Sequence, residues 1–205
     1  MKHNIWTIGF LTGLILSLSN IDKAVTVRSE SVDNLAQSQD IARSAKLTAS
    51  QLKWLVSIDK KKIELGEKSK KSIDEFKVIV PTFIPPGFNV DDLEIIDNNS
   101  ELSYRIVYRN SNNSCFYLIK TTNLKPRQPP DYGVKVWEVV EVDSPILGKV
   151  YLDYYQSGVI SSQSCIRLRT SENIEFESPV WAQKCKVISM QEAVKIIESL
   201  QYLNP

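Results

Sequence analysis

Apolar and polar residues alternate along the second half of the chain in the pattern typical of β-strands, whose successive side chains point to opposite faces of a sheet. The clearest case is a pair of aromatic-rich runs over residues 104–109 and 115–120, which are joined by the polar stretch 110–114. Polar turn residues between two such runs predict a β-hairpin. Further runs predict strands over residues 76–80, 93–96, 134–142, 150–155 and 164–169, and another around Phe176.

Helical spacing of apolar residues occurs on both sides of these strands. Between residues 31 and 65, apolar side chains three and four positions apart predict one or two helices. Near the C-terminus, Ser189 and Glu192 have the spacing of a capping box, which predicts the start of a helix. The apolar stripe that follows consists of Val194, Ile197, Leu200 and Leu203.

A terminal amphipathic helix after a series of strands is expected to lie across one face of the sheet. The sequence therefore predicts an α+β fold, in which an antiparallel meander is covered on one face by the C-terminal helix. We divide the chain into a signal peptide over residues 1–24, a helical or linker segment over 25–75, and the sheet-plus-helix domain over 76–205.

The first residues have the character of a secretory signal. Lys2 precedes an uncharged apolar run over residues 5–18, which matches the roughly 7–15 residues of a signal core and is shorter than the roughly 20 residues of a membrane span. Small residues place cleavage after Ser19 or after Ala24, and an uncleaved anchor is the alternative. We expect export to the periplasm, a thylakoid lumen or the extracellular space.

The overall charge and the histidine content exclude several classes of function. With 25 basic and 24 acidic residues the net charge is +1, which gives no electrostatic footprint for nucleic acid. The only histidine is His3, inside the predicted signal. The mature chain would therefore lack a Ser-His-Asp or Cys-His nucleophile and a histidine metal site, and we expect neither a cofactor nor a metal.

Three cysteines bear on the compartment: Cys115, Cys165 and Cys185. In an oxidising environment three cysteines predict one disulfide and one remaining thiol. No two of them have C-x-x-C spacing, which disfavours a redox motif or a zinc site. Three pairings remain open, and we favour Cys115 with Cys185, because this pair would tie the central hairpin to the approach of the final helix.

Several segments carry a resemblance to a known group of proteins. They are the Pro-rich run over residues 81–88, the strand over 104–108, the Cys115-Phe116 pair, the stretch 146–155 and the final helix. Together they resemble uncharacterised exported proteins of cyanobacteria, and the opening and closing motifs are similar to DUF4367-type envelope domains. The chain departs from that group in having residues 125–133 where the group has a Gly-rich loop. The resemblance implies a sheet-plus-helix fold and an exported location, and it implies no catalytic residues.

Aromatic residues on the predicted strands exceed what one helix can cover, which favours a ligand or partner face on the sheet. These residues are Tyr104, Tyr108, Tyr117, Trp137, Tyr151, Tyr154 and Tyr155. The leading hypothesis is an exported, non-catalytic envelope module that binds an envelope protein or a hydrophobic ligand. A lipid carrier or sensor is one alternative, and ordinary core packing of the aromatic rings is another.

Carboxylates support a rival hypothesis of different class. Asp153 together with Glu138 or Glu141 has the residue types that a carboxylate-dependent hydrolase uses as acid and base. Arg167 and Arg169 are expected to lie opposite Glu175 and Glu177 as exposed ion pairs between strands. We expect the protein not to be an enzyme.

Overall fold

The structure, a computed structural model, describes residues 36–58, 77–98, 101–122, 134–157, 164–170, 172–179 and 185–203. The predicted signal over residues 1–24 lies outside the described residues, as does much of the predicted linker. None of the helices in the described ranges is long and apolar enough to cross a membrane.

The described elements are three helices and nine strands. Helices α1 (36–44) and α2 (49–58) come first. The strands are β1 (Ile79–Pro81), β2 (Asn89–Asp97), β3 (Leu102–Arg109), β4 (Cys115–Thr121), β5 (Val134–Ser144), β6 (Gly148–Ser157), β7 (Ser164–Arg169) and β8 (Ile174–Ser178). Helix α3 (Met190–Glu198) and strand β9 (Leu200–Tyr202) follow.

Seven strands form one antiparallel sheet in the order β2-β3-β4-β8-β7-β6-β5, and β1 pairs with β9 in a separate two-stranded ladder. The predicted α+β class with an antiparallel sheet is confirmed. The prediction that the strands form a single meander is wrong, because β4 does not pair with β5. Two meanders, β2-β3-β4 and β5-β6-β7-β8, meet at the β4–β8 pair, so that β5 becomes the edge strand farthest from β2.

One face of the sheet, the inner face, forms the core. Its buried side chains include Tyr104, Ile106, Tyr108, Phe116, Leu118, Leu152, Ile166 and Phe176. Helix α3 contributes Ala193, Ile196 and Ile197 to the same cluster, and the N-terminal helices contribute Ala42 and Leu55. The segment over residues 36–58 therefore packs on the sheet, where the Tyr108 hydroxyl donates to the Ala45 carbonyl at 3.1 Å.

Two tight turns follow from their sequences. The Phe88 N–H donates to the Pro85 carbonyl at 3.2 Å across Pro86 and Gly87, and Gly87 has a φ of 81°. This is the arrangement in which proline fixes the first central residue of a turn and glycine accepts positive φ at the second. The predicted hairpin between β3 and β4 is also confirmed, with Asn113 at a φ of 61°.

The capping box that predicts α3 is confirmed: Ser189 accepts from the Glu192 N–H, and the Glu192 carboxylate accepts from the Ser189 N–H at 2.9 Å. The helix is shorter than the apolar stripe suggests. The helix ends at Glu198, because the next residue, Ser199, is hydrogen-bonded to the two residues that follow β1. The Thr82 hydroxyl donates to the Ser199 carbonyl at 2.8 Å, and the Phe83 N–H donates to the Ser199 hydroxyl at 2.9 Å. Leu200 therefore lies in β9.

Candidate functional site

The second face of the sheet, here called the outer face, carries a row of side chains that crosses six strands. The strand register places them side by side in the order Val107, Tyr117, Glu177, Arg167, Asp153 and Val139. Directly opposed side chains on neighbouring strands lie within contact distance. Two carboxylates and an arginine are therefore brought together at the middle of the sheet.

Glu177 is the buried centre of this row, with a side chain only 3% exposed. Its Oε2 accepts from the Tyr117 hydroxyl at 2.7 Å, and its Oε1 accepts from Arg167 Nη2 at 3.2 Å. The Cys165 thiol lies 3.8 Å from the same Oε1. A buried carboxylate requires such donors, because removing a charge from water without partners is costly.

Asp153 forms a second buried carboxylate site on β6, two strands away from Glu177. Its side chain is 7% exposed, and Oδ1 accepts from Arg169 Nη2 at 2.9 Å. Oδ2 accepts from the Tyr155 hydroxyl at 3.1 Å. The guanidinium of Arg167 lies over the Tyr155 ring, and that of Arg169 lies over the Tyr151 ring. Carboxylates, guanidinium groups and aromatic rings thus interlock across β6, β7 and β8.

The electrostatics of the cluster follow from burial and pairing. Burial opposes the charge on Arg167, yet Glu177, Cys165 and Tyr117 together outweigh this effect, so the net pKa of Arg167 is raised. Burial raises the pKa of Tyr155, and the negative charge of Asp153 adds to the rise. Arg167 therefore stays charged, and Tyr155 stays a neutral donor at physiological pH.

The predicted disulfide between Cys115 and Cys185 is confirmed, with a Cα–Cα distance of 5.8 Å. Its cysteines pack beside Val107 and Tyr117 on the outer face. The segment before α3 is also joined to the hairpin by backbone, since the Cys115 N–H donates to the Lys186 carbonyl at 3.1 Å. Cys165 is buried and takes no part in the disulfide.

At the β5 edge of the outer face, apolar side chains are exposed instead of buried. Val136, Trp137, Val139 and Tyr151 are 43%, 61%, 49% and 39% exposed, and we call these four residues the edge patch. Trp137 is the extra residue of a β-bulge, because Val136 pairs with Tyr155 and Glu138 pairs with Tyr154. The other three side chains share the outer face through their strand partners.

An exposed ion pair borders the edge patch. Lys149 Nζ lies 2.6 Å from Glu141 Oε1, and the Tyr151 hydroxyl donates to Glu141 Oε2 at 3.2 Å. The hydrogen bond and charge of Lys149 lower the pKa of Glu141, and the hydrogen bond and charge of Glu141 raise that of Lys149. Both groups are ionised at neutral pH, so this rim of the patch is polar.

The aromatic residues predicted to share one ligand face lie on both faces of the sheet. Tyr104 and Tyr108 are fully buried in the core, and Tyr154 packs against it. The Tyr104 hydroxyl donates to the Ile79 carbonyl at 2.6 Å and accepts from the Ile79 N–H at 2.7 Å. Core packing therefore accounts for these rings, which corrects their assignment to a binding face. Tyr117 is buried on the outer face, which leaves Trp137, Tyr151 and Tyr155 at the surface.

The carboxylates of the rival hydrolase hypothesis have separate surroundings. Asp153 is bonded to Arg169 and Tyr155, Glu141 is bonded to Lys149 and Tyr151, and Glu138 is exposed. Within the ranges that the structure describes, no group of three metal-ligating side chains could hold a metal ion.

The ion pairs predicted between β7 and β8 are confirmed in part. Arg167 pairs with Glu177 as expected, but this carboxylate is buried and not exposed. Arg169 pairs with Asp153 on β6, because β7 lies between two strands and its side chains reach either neighbour. The sequence analysis missed the buried cluster. The signal that could have revealed it is the run of apolar residues on both faces of β3 and β4, which is typical of strands buried on both sides.

Comparisons with known proteins identify no relative: no family model, no curated protein and no solved structure matches this chain. The resemblance to DUF4367-type envelope domains stays a prediction.

Proposed function

We propose that the protein is an exported, non-catalytic interaction module, and that it binds a partner protein of the cell envelope through the edge patch. The observation that carries the proposal is the exposure of Trp137, Val136, Val139 and Tyr151 at one edge of a sheet whose other large apolar residues are mostly buried. Contiguous apolar surface rimmed by polar groups is characteristic of protein interaction sites, where aromatic residues are enriched.

The chemistry of the patch favours a protein partner. Trp137 and Tyr151 are residue types that dominate binding energy at interfaces, because they bury a large area with few rotatable bonds. The Glu141–Lys149 pair supplies a polar rim beside them. The disulfide between Cys115 and Cys185 supports an oxidising, exported location.

The alternatives have less support. A hydrolase needs a carboxyl group that exchanges protons with substrate, whereas Asp153 and Glu177 are each bound to an arginine and a tyrosine. A carrier of lipid or another hydrophobic ligand needs an apolar cradle, and the inner face is filled by its own side chains, with Phe116 stacked on Tyr108 at 4.8 Å between ring centroids.

The proposal is tested by affinity capture from envelope extract with the full chain as bait. A Trp137→Ala variant should lose the partner that the unchanged chain retains. Trp54→Ala is the matched control, because Trp54 is 54% exposed on α2, away from the sheet edge, and the same ring is removed. Retention of every partner by Trp137→Ala would refute the proposal, as would a co-purified lipid in place of a protein in mass spectrometry.

A further inference from the structure

Strand β5 presents one side of its backbone at the edge of the large sheet. It spans Val134–Ser144, 11 residues, and in the described part of the chain only β6 pairs with it in the sheet. Backbone N–H and C=O groups along the outer edge of such a strand are a template for a further strand. The length of β5 is well above the five or six residues that are common for strands.

The opposite edge of the sheet, strand β2, has more of its acidic side chains held in ion pairs than β5, where the described pair is Glu141 with Lys149. On β2, the acidic residues at the edge are engaged by arginines of β3. Asp92 and Glu94 lie 3.2 Å and 2.9 Å from Arg105, and Asp91 lies 2.8 Å from Arg109. Paired charges along an edge strand oppose the addition of another strand. The two edges therefore differ in chemistry, and β5 is the one that combines exposed apolar side chains with strand length.

The bulge on β5 lies near one end and leaves a regular segment beyond it. From Glu138 to Ser144 the register with β6 runs without interruption. Val139 on this segment is half exposed and belongs to the edge patch. A strand added here would place alternate side chains beside Val139 and its neighbours on the outer face.

The charges on β5 specify the partner's composition. Glu138, Glu141 and Asp143 are exposed on the regular segment, whereas the adjacent cation Lys149 is bound to Glu141 and also interacts with Asp143. The surplus of negative charge favours a basic partner. It disfavours a second copy of this chain, since pairing β5 with itself would bring two acidic edges together.

We infer that β5 accepts an extended segment of a partner protein as an eighth strand of the sheet, with apolar residues opposite Val136 and Val139 and basic residues opposite Glu141 and Asp143. This inference rests on the proposed function and specifies how the partner binds. Main-chain hydrogen bonds supply the affinity in this mode, and side-chain contacts at alternate positions supply the specificity. On the outer face, the apolar side chains of the partner would cover Val136 and Val139, and its basic side chains would lie beside Glu141 and Asp143, farther along the same face.

The probe is a synthetic, fluorescently labelled peptide that alternates threonine with valine in one half and threonine with lysine in the other half, and its binding to the full chain is measured by fluorescence anisotropy. A second peptide has the same sequence with alternate backbone amides N-methylated, which keeps its charge and removes donors to a strand edge. We expect affinity to fall about tenfold or more on N-methylation, because several hydrogen bonds are lost together. Val139→Lys should weaken binding of the unmodified peptide to a similar extent.

Ile96→Lys is the matched control, since Ile96 is 38% exposed on β2 at the other edge of the sheet. We expect this variant to bind the peptide as the unchanged chain does. Equal binding of the plain and N-methylated peptides would overturn strand addition and leave only attraction between charges. Equal losses in Val139→Lys and Ile96→Lys would overturn the assignment to β5. If Trp137→Ala still abolished partner capture from envelope extract in either case, the proposed function would stand and only the binding mode would fail.

Discussion

Replacement of Arg167 by methionine tests whether the outer-face cluster is a buried charge network. Methionine keeps a long apolar stem over the Tyr155 ring and removes the guanidinium that contacts Glu177. The Glu177 carboxylate would then be left with the Tyr117 hydroxyl and the Cys165 thiol as partners. Its side chain is 3% exposed, so water cannot replace the lost cation without local opening.

Breaking a buried ion pair by removing one partner costs about 3–5 kcal/mol. We expect a loss near the lower end, about 3 kcal/mol, because the Tyr117 hydroxyl still donates and Arg167 is itself 23% exposed. Glu177→Gln should lower the free energy of unfolding less than Arg167→Met does. In Glu177→Gln the arginine that loses its partner is 23% exposed and reaches solvent, whereas in Arg167→Met the carboxylate that loses its partner is buried.

The assay is equilibrium urea unfolding at neutral pH, followed by circular dichroism. Arg43→Met is the matched control, because Arg43 makes an ion pair of 3.0 Å with Asp40 and these side chains are 79% and 73% exposed. We expect the control to change stability by no more than about 1 kcal/mol. Equal losses in the two variants would refute the reasoning.

Three further predictions concern stability. The double substitution of Cys115 and Cys185 by serine should lower the free energy of unfolding by about 4 kcal/mol in the chain-entropy treatment, because the bond spans a sequence separation of 70 residues. A reducing agent should shift the unfolding midpoint of the unchanged chain and not that of the double variant. Gly87→Ala should cost about 1 kcal/mol in urea unfolding, because a φ of 81° is strained for a residue with a Cβ even though nothing lies within 4 Å of the added atom; an unchanged midpoint would contradict this. Burial raises the pKa of Tyr108, so the stability that its neutral hydroxyl contributes is complete below about pH 10 and is lost as the pH rises above it. Phenolate absorbance should therefore show Tyr108 ionising only as the protein unfolds, and Tyr108→Phe should lose less stability in alkali.

The sequence predicts best where a local signal coincides with the tertiary structure. The polar hairpin at Asn113 and the capping box at Ser189 are both of this kind, because turn and cap residues act on their nearest neighbours along the chain. The end of α3 was predicted less well. Leu200 and Leu203 continue a helical stripe by spacing, yet contacts from the distant Thr82 and Phe83 hold Ser199 and divert the chain into β9.

Strand order and the outer-face cluster have no local signal. Strand β5 lies at the far edge because β4 pairs with β8 and not with β5. The residues next to β4 in the sequence do not determine this pairing. Glu177 and Asp153 have the sequence surroundings of solvent-exposed strand residues, and their burial follows from strands that lie far away in the chain. The edge patch is predicted in part, since Trp137 and Tyr151 are aromatic residues on predicted strands. Tyr104 and Tyr108 have the same property and are core residues.

The pairing of β1 with β9 determines which part of the fold is completed last during synthesis. The Thr82 hydroxyl and the Ser199 carbonyl that it contacts are 117 positions apart, and Leu200 and Leu203 are fully buried beside β1. A growing chain that has reached only Glu198 would have every strand of the large sheet, but β1 would have no partner. Contacts so distant in sequence form late and slowly. The chain should therefore remain accessible to chaperones until β9 has been made. Removal of the few residues from Leu200 to Leu203 should lower the stability of the fold far more than removal of the same number of exposed residues.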